Sequence, residues 1–146
     1  MQRVEESERL FKEGYNCSQA VVGAFSDLLP IDFDTLTLIS SGFGGGMGRL
    51  REVCGAVSGM VLVASILKGY NNPKDDEAKK ELYSFIQEIV KEFEEENSSI
   101  ICRELLGLSE KREGPTPEKR TDEFYKKRPC VEMVKSATRI LCKYFD

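Results

Sequence analysis

The chain has 146 residues, 40% of them hydrophobic and 32% charged, with a formal net charge of -4 and no histidine. That length suits a single domain spanning 1–146, large enough to bury a core without a metal or disulfides to hold it. The acidic balance argues against a nucleic-acid binder, and the missing imidazole excludes Ser-His-Asp, Cys-His and His-metal chemistry as well as Cys-x-x-Cys-His haem attachment, so no haem is expected.

Apolar periodicity predicts helix nearly throughout, with no strand and no internal repeat. Val4, Leu10 and Phe11 mark a first amphipathic helix that ends near Gly14. Asn16 is a suitable N-cap for a second, in which Cys17, Ala20, Val21, Ala24 and Leu28 share one stripe before Pro30 stops it. A short third helix over 33–41 presents Leu36 and Ile39, with Phe43 just beyond. Five of the seven residues 42–48 are glycine, which calls for positive φ or close backbone approach rather than helix. Residues 51–68 are apolar on nearly all sides, the pattern of a central, buried helix. Residues 74–96 form a long amphipathic helix through Leu82, Phe85, Ile86, Ile89 and Phe93. A short helix over 98–106 puts Cys102, Leu105 and Leu106 on one face, with Gly107 as its stop. Residues 108–129 read as a polar surface loop with one helical turn near 122–126, in which Lys126, Lys127 and Arg128 form a solvated face. The last helix runs from Cys130 to about Tyr144 and buries Val131, Val134, Leu141 and Phe145. The expected fold is therefore all-α, a compact bundle of about six to seven helices around the central one.

The acidic N-terminus lacks the apolar stretch of a signal peptide, and the longest apolar run is too short to span a membrane. A cytoplasmic location without membrane insertion is expected. In a reducing compartment, five cysteines are more often catalytic, metal-ligating or buried than a disulfide framework.

Cysteine placement carries the functional reading. Cys17 follows a cap, Cys54 opens the central helix just after the glycine segment, and Cys130 opens the last helix. A helix N-terminus favours negative charge, so a thiol there ionises more readily to the form that attacks disulfides and binds soft metals. Cys102 points inward from its short helix, and Cys142 reads as core. No Cys-x-x-Cys pair is present, so a site forms only if separate helix ends converge. The amides of Gly44, Gly45, Gly46 and Gly55 are candidates to surround Cys54 and stabilise a sulfur anion or a cluster. A phosphate cradle is disfavoured, because no Gly-Lys-Ser/Thr follows and a helical pattern precedes the glycines where a strand is required.

The sequence resembles the C-GCAxxG-C-C family of redox-active proteins. The matching residues are Gly14-Tyr15-Asn16-Cys17-Ser18-Gln19-Ala20, the glycine segment leading into Val53-Cys54-Gly55-Ala56-Val57-Ser58-Gly59, then Cys102-Arg103-Glu104-Leu105-Leu106-Gly107, and finally Cys130. Val131 stands where members more often carry proline, and Cys142 is additional. The resemblance implies a redox role, similarity to the cysteine-bearing domain of split-Soret cytochromes c, and an iron–sulfur cluster on Cys17, Cys54, Cys102 and Cys130. It also implies an association with transporters. Three readings stay open: an iron–sulfur electron-transfer protein, a metal-free dithiol–disulfide oxidoreductase working through the same four cysteines, and a structural four-thiolate zinc or transporter-linked binding module. The redox partner is unspecified, and a homodimer is compatible with all three.

Overall fold

A computed structural model of the chain describes residues 2–108 and 113–146; residues 109–112 of the 108–129 loop lie outside the described residues. The all-α expectation holds. The described helices are α1 (Gln2–Lys12), α2 (Cys17–Gly23), α3 (Phe33–Ser40), α4 (Gly55–Lys68), α5 (Asp76–Asn97), α6 (Cys102–Leu105), α7 (Asp122–Lys127) and α8 (Cys130–Phe145). The only β pairing among the described residues is an isolated antiparallel bridge between Val53 and Ile101.

Helix α4 is the central element. It packs along α2 and also meets α5 and α8, while α1 closes against α2 and α8. Its Val57, Met60, Val63 and Ala64 are buried with Val21 and Phe25 of the α2 region, Ile89 and Phe93 of α5, and Ile140 and Leu141 of α8. Gly59 permits the close α2 crossing: a Cβ there would stand 2.9 Å from the Cβ of Val21.

Several boundaries differ from the periodicity reading. Helix α4 starts at Gly55 rather than near 51, because the chain over 51–54 is non-helical and bonded to 100–103. Cys54 donates its amide to the Ile100 carbonyl at 2.8 Å, and Cys102 donates to Glu52 at 2.6 Å. That pairing also takes residues 98–101 out of the expected helix over 98–106, leaving α6 as a single turn. Helix α2 stops at Gly23 and gives way to turns, so Leu28 is 40% exposed instead of lying on the buried stripe. Ile39 is likewise exposed, and Leu36 alone of its helix's large apolar residues is fully buried.

The glycine segment forms a 3-10 turn (Ser41–Phe43) and then a left-handed turn. Gly45, Gly46, Met47 and Gly48 have φ of 65, 69, 71 and 54° in succession. Arg49 and Arg51 are also left-handed. Each such non-glycine residue costs about 1–2 kcal/mol of backbone energy. Long-reach amide bonds hold the turn, from Gly48 to the Gly42 carbonyl at 2.8 Å and from Glu52 to Gly46 at 2.9 Å.

A candidate four-cysteine site

Each cysteine of interest is placed by the start of a different helix. Cys17 is the first residue of α2, after a capping box in which Asn16 Oδ1 accepts from the Gln19 amide at 2.9 Å and Gln19 Oε1 accepts from the Asn16 amide at 3.0 Å. Asn16 Nδ2 also donates to the Ser41 carbonyl at 2.9 Å, tying this helix start to the glycine segment. Cys54 is the N-cap residue of α4, Cys102 opens α6, and Cys130 opens α8 after Pro129. The sequence placed Cys102 inside a helix; it too stands at a helix start, because the bridge at Ile101 delays that helix by several residues.

These four helix starts converge. Cys17, Cys54, Cys102 and Cys130 line one small cavity of about 20 Å³ with Gly45, Gly46, Gly55 and Arg51. Of the glycines singled out from sequence, Gly44 is the exception: it packs against Asn16 instead, where a Cβ would stand 2.6 Å from the side-chain amide nitrogen. A Cβ on Gly46 would fall 2.6 Å from Cys102 Cβ and 2.7 Å from the Glu52 nitrogen. One on Gly55 would fall 2.9 Å from the Phe43 carbonyl oxygen and 3.1 Å from Cys17 Cβ. Any side chain at Gly46 or Gly55 would therefore push a sulfur out of place. Cys142 is buried in the core and outside the cavity lining, as expected.

The thiols are electrostatically unequal. Interaction with the neighbouring Cys17 thiol holds Cys130 below the ordinary thiol range against its own burial; Arg128, Arg51 and Arg120 add to the effect. The same interaction, with burial, holds Cys17 well above that range. Burial pushes Cys54 up to about 12, although the Ala56 and Val57 amides at the start of α4 pull the other way. Cys102 is raised by burial and partly relieved by Arg51, whose Nη1 donates to its sulfur at 3.5 Å.

Sequence reasoning missed the arginines. Arg51 is 6% exposed and ion-paired to Glu113 at 2.5 Å, so a buried cation borders the sulfurs. Arg128, read from sequence as part of a solvated run, lies beside Cys130 in the wall of an adjoining cleft and pairs with Glu118. The only sequence signal was their proximity to Cys54 and Cys130.

As a donor set, four thiols with no imidazole anywhere in the chain suit a soft metal or an iron–sulfur cluster. The cavity has room for one water-sized atom. As placed, no three of the described Cys, Asp or Glu residues are grouped closely enough to ligate an ion. Ligation of a single ion therefore entails drawing the sulfurs together, and a cluster of several atoms entails widening the pocket as well.

The fold and the cavity define a class, an all-α protein that gathers four cysteines from four helix starts. The family model described as putative redox-active protein (C_GCAxxG_C_C) matches residues 15–144, and the chain belongs to that family. No match was found among curated proteins or among solved structures.

Proposed function

We propose that this protein is an electron-transfer protein that holds an iron–sulfur cluster on Cys17, Cys54, Cys102 and Cys130. The observation that carries the reading is that all four cysteines, from helix starts far apart in sequence, line one cavity. A dithiol mechanism needs two. The interaction with Cys130 together with burial keeps Cys17 protonated while unligated, and burial does the same for Cys54 and Cys102. Only a cationic centre makes four neighbouring buried thiolates compatible, since a coordinating thiol is deprotonated outright. Amides at the helix starts and the Arg51 guanidinium would then offset the negative charge of the ligated set. Bound there, the cluster would supply one-electron transfer; this chain's part is to bury it, ligate it and fix its charge environment. No helix among the described residues is long and apolar enough to cross a membrane, and five free cysteines suit a reducing compartment such as the cytoplasm. Its electron donor and acceptor are separate redox partners, and association with a transporter is part of the same reading.

Anaerobically purified protein should be brown, with visible absorbance and stoichiometric iron and sulfide. Cys54→Ser should abolish the colour and Cys142→Ser should leave it intact. Colourless protein with bound zinc would replace the redox reading by a structural one.

One observation favours a second reading. Cys17 and Cys130 both line the cavity and the adjoining cleft, and their interaction raises the pKa of one thiol and lowers that of the other, the division a dithiol–disulfide exchanger uses. Colourless, metal-free protein in which Cys17 and Cys130 form a reversible disulfide would establish that reading instead.

A further inference from the structure

Outside the sulfur cavity lies an open cleft of about 490 Å³, within the size range of small-molecule sites. Cys17 and Cys130 belong to the linings of both, so the cleft borders two of the four cysteines. Its walls carry four arginines, Arg49, Arg51, Arg120 and Arg128. Among the described residues two carboxylates answer them: Glu113 pairs with Arg49 and Arg51, and Glu118 with Arg128. The excess of positive charge is local, since the whole chain is net negative.

Arg120 makes the cleft more than a rim of ion pairs. It donates to the carbonyls of Phe11 at 2.8 Å and Tyr15 at 3.0 Å, and its guanidinium carbon lies 4.3 Å from the centre of the Phe11 ring and 5.0 Å from that of Phe124. Carbonyls and ring faces fix the guanidinium without neutralising it, and no carboxylate among the described residues does so. Phe11 and Phe124 themselves line the cleft, with Leu106, Pro115 and Pro117. The site thus pairs a prepositioned cation with apolar walls.

We propose that this cleft binds a small organic anion, an oxyanion group carried on an apolar body, with Arg120 as its main charge partner and the body against Phe11 and Phe124. Bound there, the anion would stand beside Cys17 and Cys130. Any electron exchange with it rests on the redox function proposed above, whereas the binding does not.

Calorimetric titration of the whole protein with phenyl phosphate and with benzoate tests the site and separates phosphate-type from carboxylate-type ligands; phenol serves as the uncharged counterpart. At least one of the two anions should bind and phenol should not. Arg120→Gln should weaken binding about tenfold or more, the scale of one charge-assisted hydrogen bond. Lys126→Gln, on the exposed side of α7, should leave it unchanged. Because Arg120 also anchors the backbone before α2, Arg128→Gln serves as the decisive variant if Arg120→Gln does not fold, and it should weaken binding severalfold. Absence of binding by both anions, or equal affinity in the folded arginine variants, would overturn the proposal. Equal affinity for inorganic phosphate would overturn the role of the apolar walls. Binding heat is read whether or not the sulfurs carry iron, so failure here and failure of the redox reading are distinguishable.

Discussion

Cys130 is the residue at which the chemistry of the site is most asymmetric. Its thiol interacts with that of Cys17 and lies within the influence of Arg128, Arg51 and Arg120, so its pKa is lowered while those of its three companions are raised. A lowered pKa means that thiolate appears at lower pH. In reduced, metal-free protein, iodoacetamide should therefore modify Cys130 first, with a midpoint below those of the other three thiols of the site. Cys17→Ala removes that interaction, so the midpoint should move up; the arginines remain and limit the change. Mass-mapped alkylation rates between neutral and alkaline pH check both statements. An unchanged midpoint in Cys17→Ala would show that the arginines alone set the acidity of Cys130.

At the level of single elements, the left-handed glycine turn does the most for the site. It carries Gly45 and Gly46 past the sulfurs and delivers the chain to the 51–54 pairing that aims Cys54. Gly46 needs both a positive φ and the absence of a side chain, because its Cβ would meet Cys102. Gly46→Ala should cost about 2–4 kcal/mol, combining the left-handed penalty with overpacking. Gly114→Ala is the matched control: a Cβ there meets nothing within 4 Å, and the change should stay within about 0.5 kcal/mol. Urea unfolding of the two variants gives the comparison. Similar midpoints would mean that the turn yields to accommodate a methyl group.

Across the whole molecule, the cavity exists only while four helix starts are held against one core. Met60 is fully buried in α4, the helix that Cys54 caps. Met60→Ala should lower stability by about 2–5 kcal/mol through lost burial and the residual cavity. If the four cysteines act as one ligand set, loss of visible colour and loss of helical circular dichroism should coincide in denaturant, in the wild type and in this variant alike. Colour that outlasts the helices would mean that a local segment suffices to bind iron, contrary to the distributed site.

Much of this was legible in the chain before any coordinates. Apolar periodicity and breakers located the helices, the Asn16 cap and the buried central element; helix-start placement set Cys17, Cys54 and Cys130 apart from Cys142, and the family resemblance added Cys102. The pairing of 51–54 with 100–103 was not legible. Such a bridge joins stretches far apart in sequence and leaves no local period, which is why the central helix began late and Cys102 moved to a helix start. Nor did the sequence reveal the arginine cleft, since Arg49, Arg51, Arg120 and Arg128 come from separate segments and three of them answer carboxylates that only packing brings near. Sequence alone fixes what neighbours along a helix do, because caps and stripes are short-range. Tertiary structure decided that four helix starts share one cavity and that Cys17 and Cys130 also border the arginine cleft, because those distances are set by how apolar faces pack across the molecule.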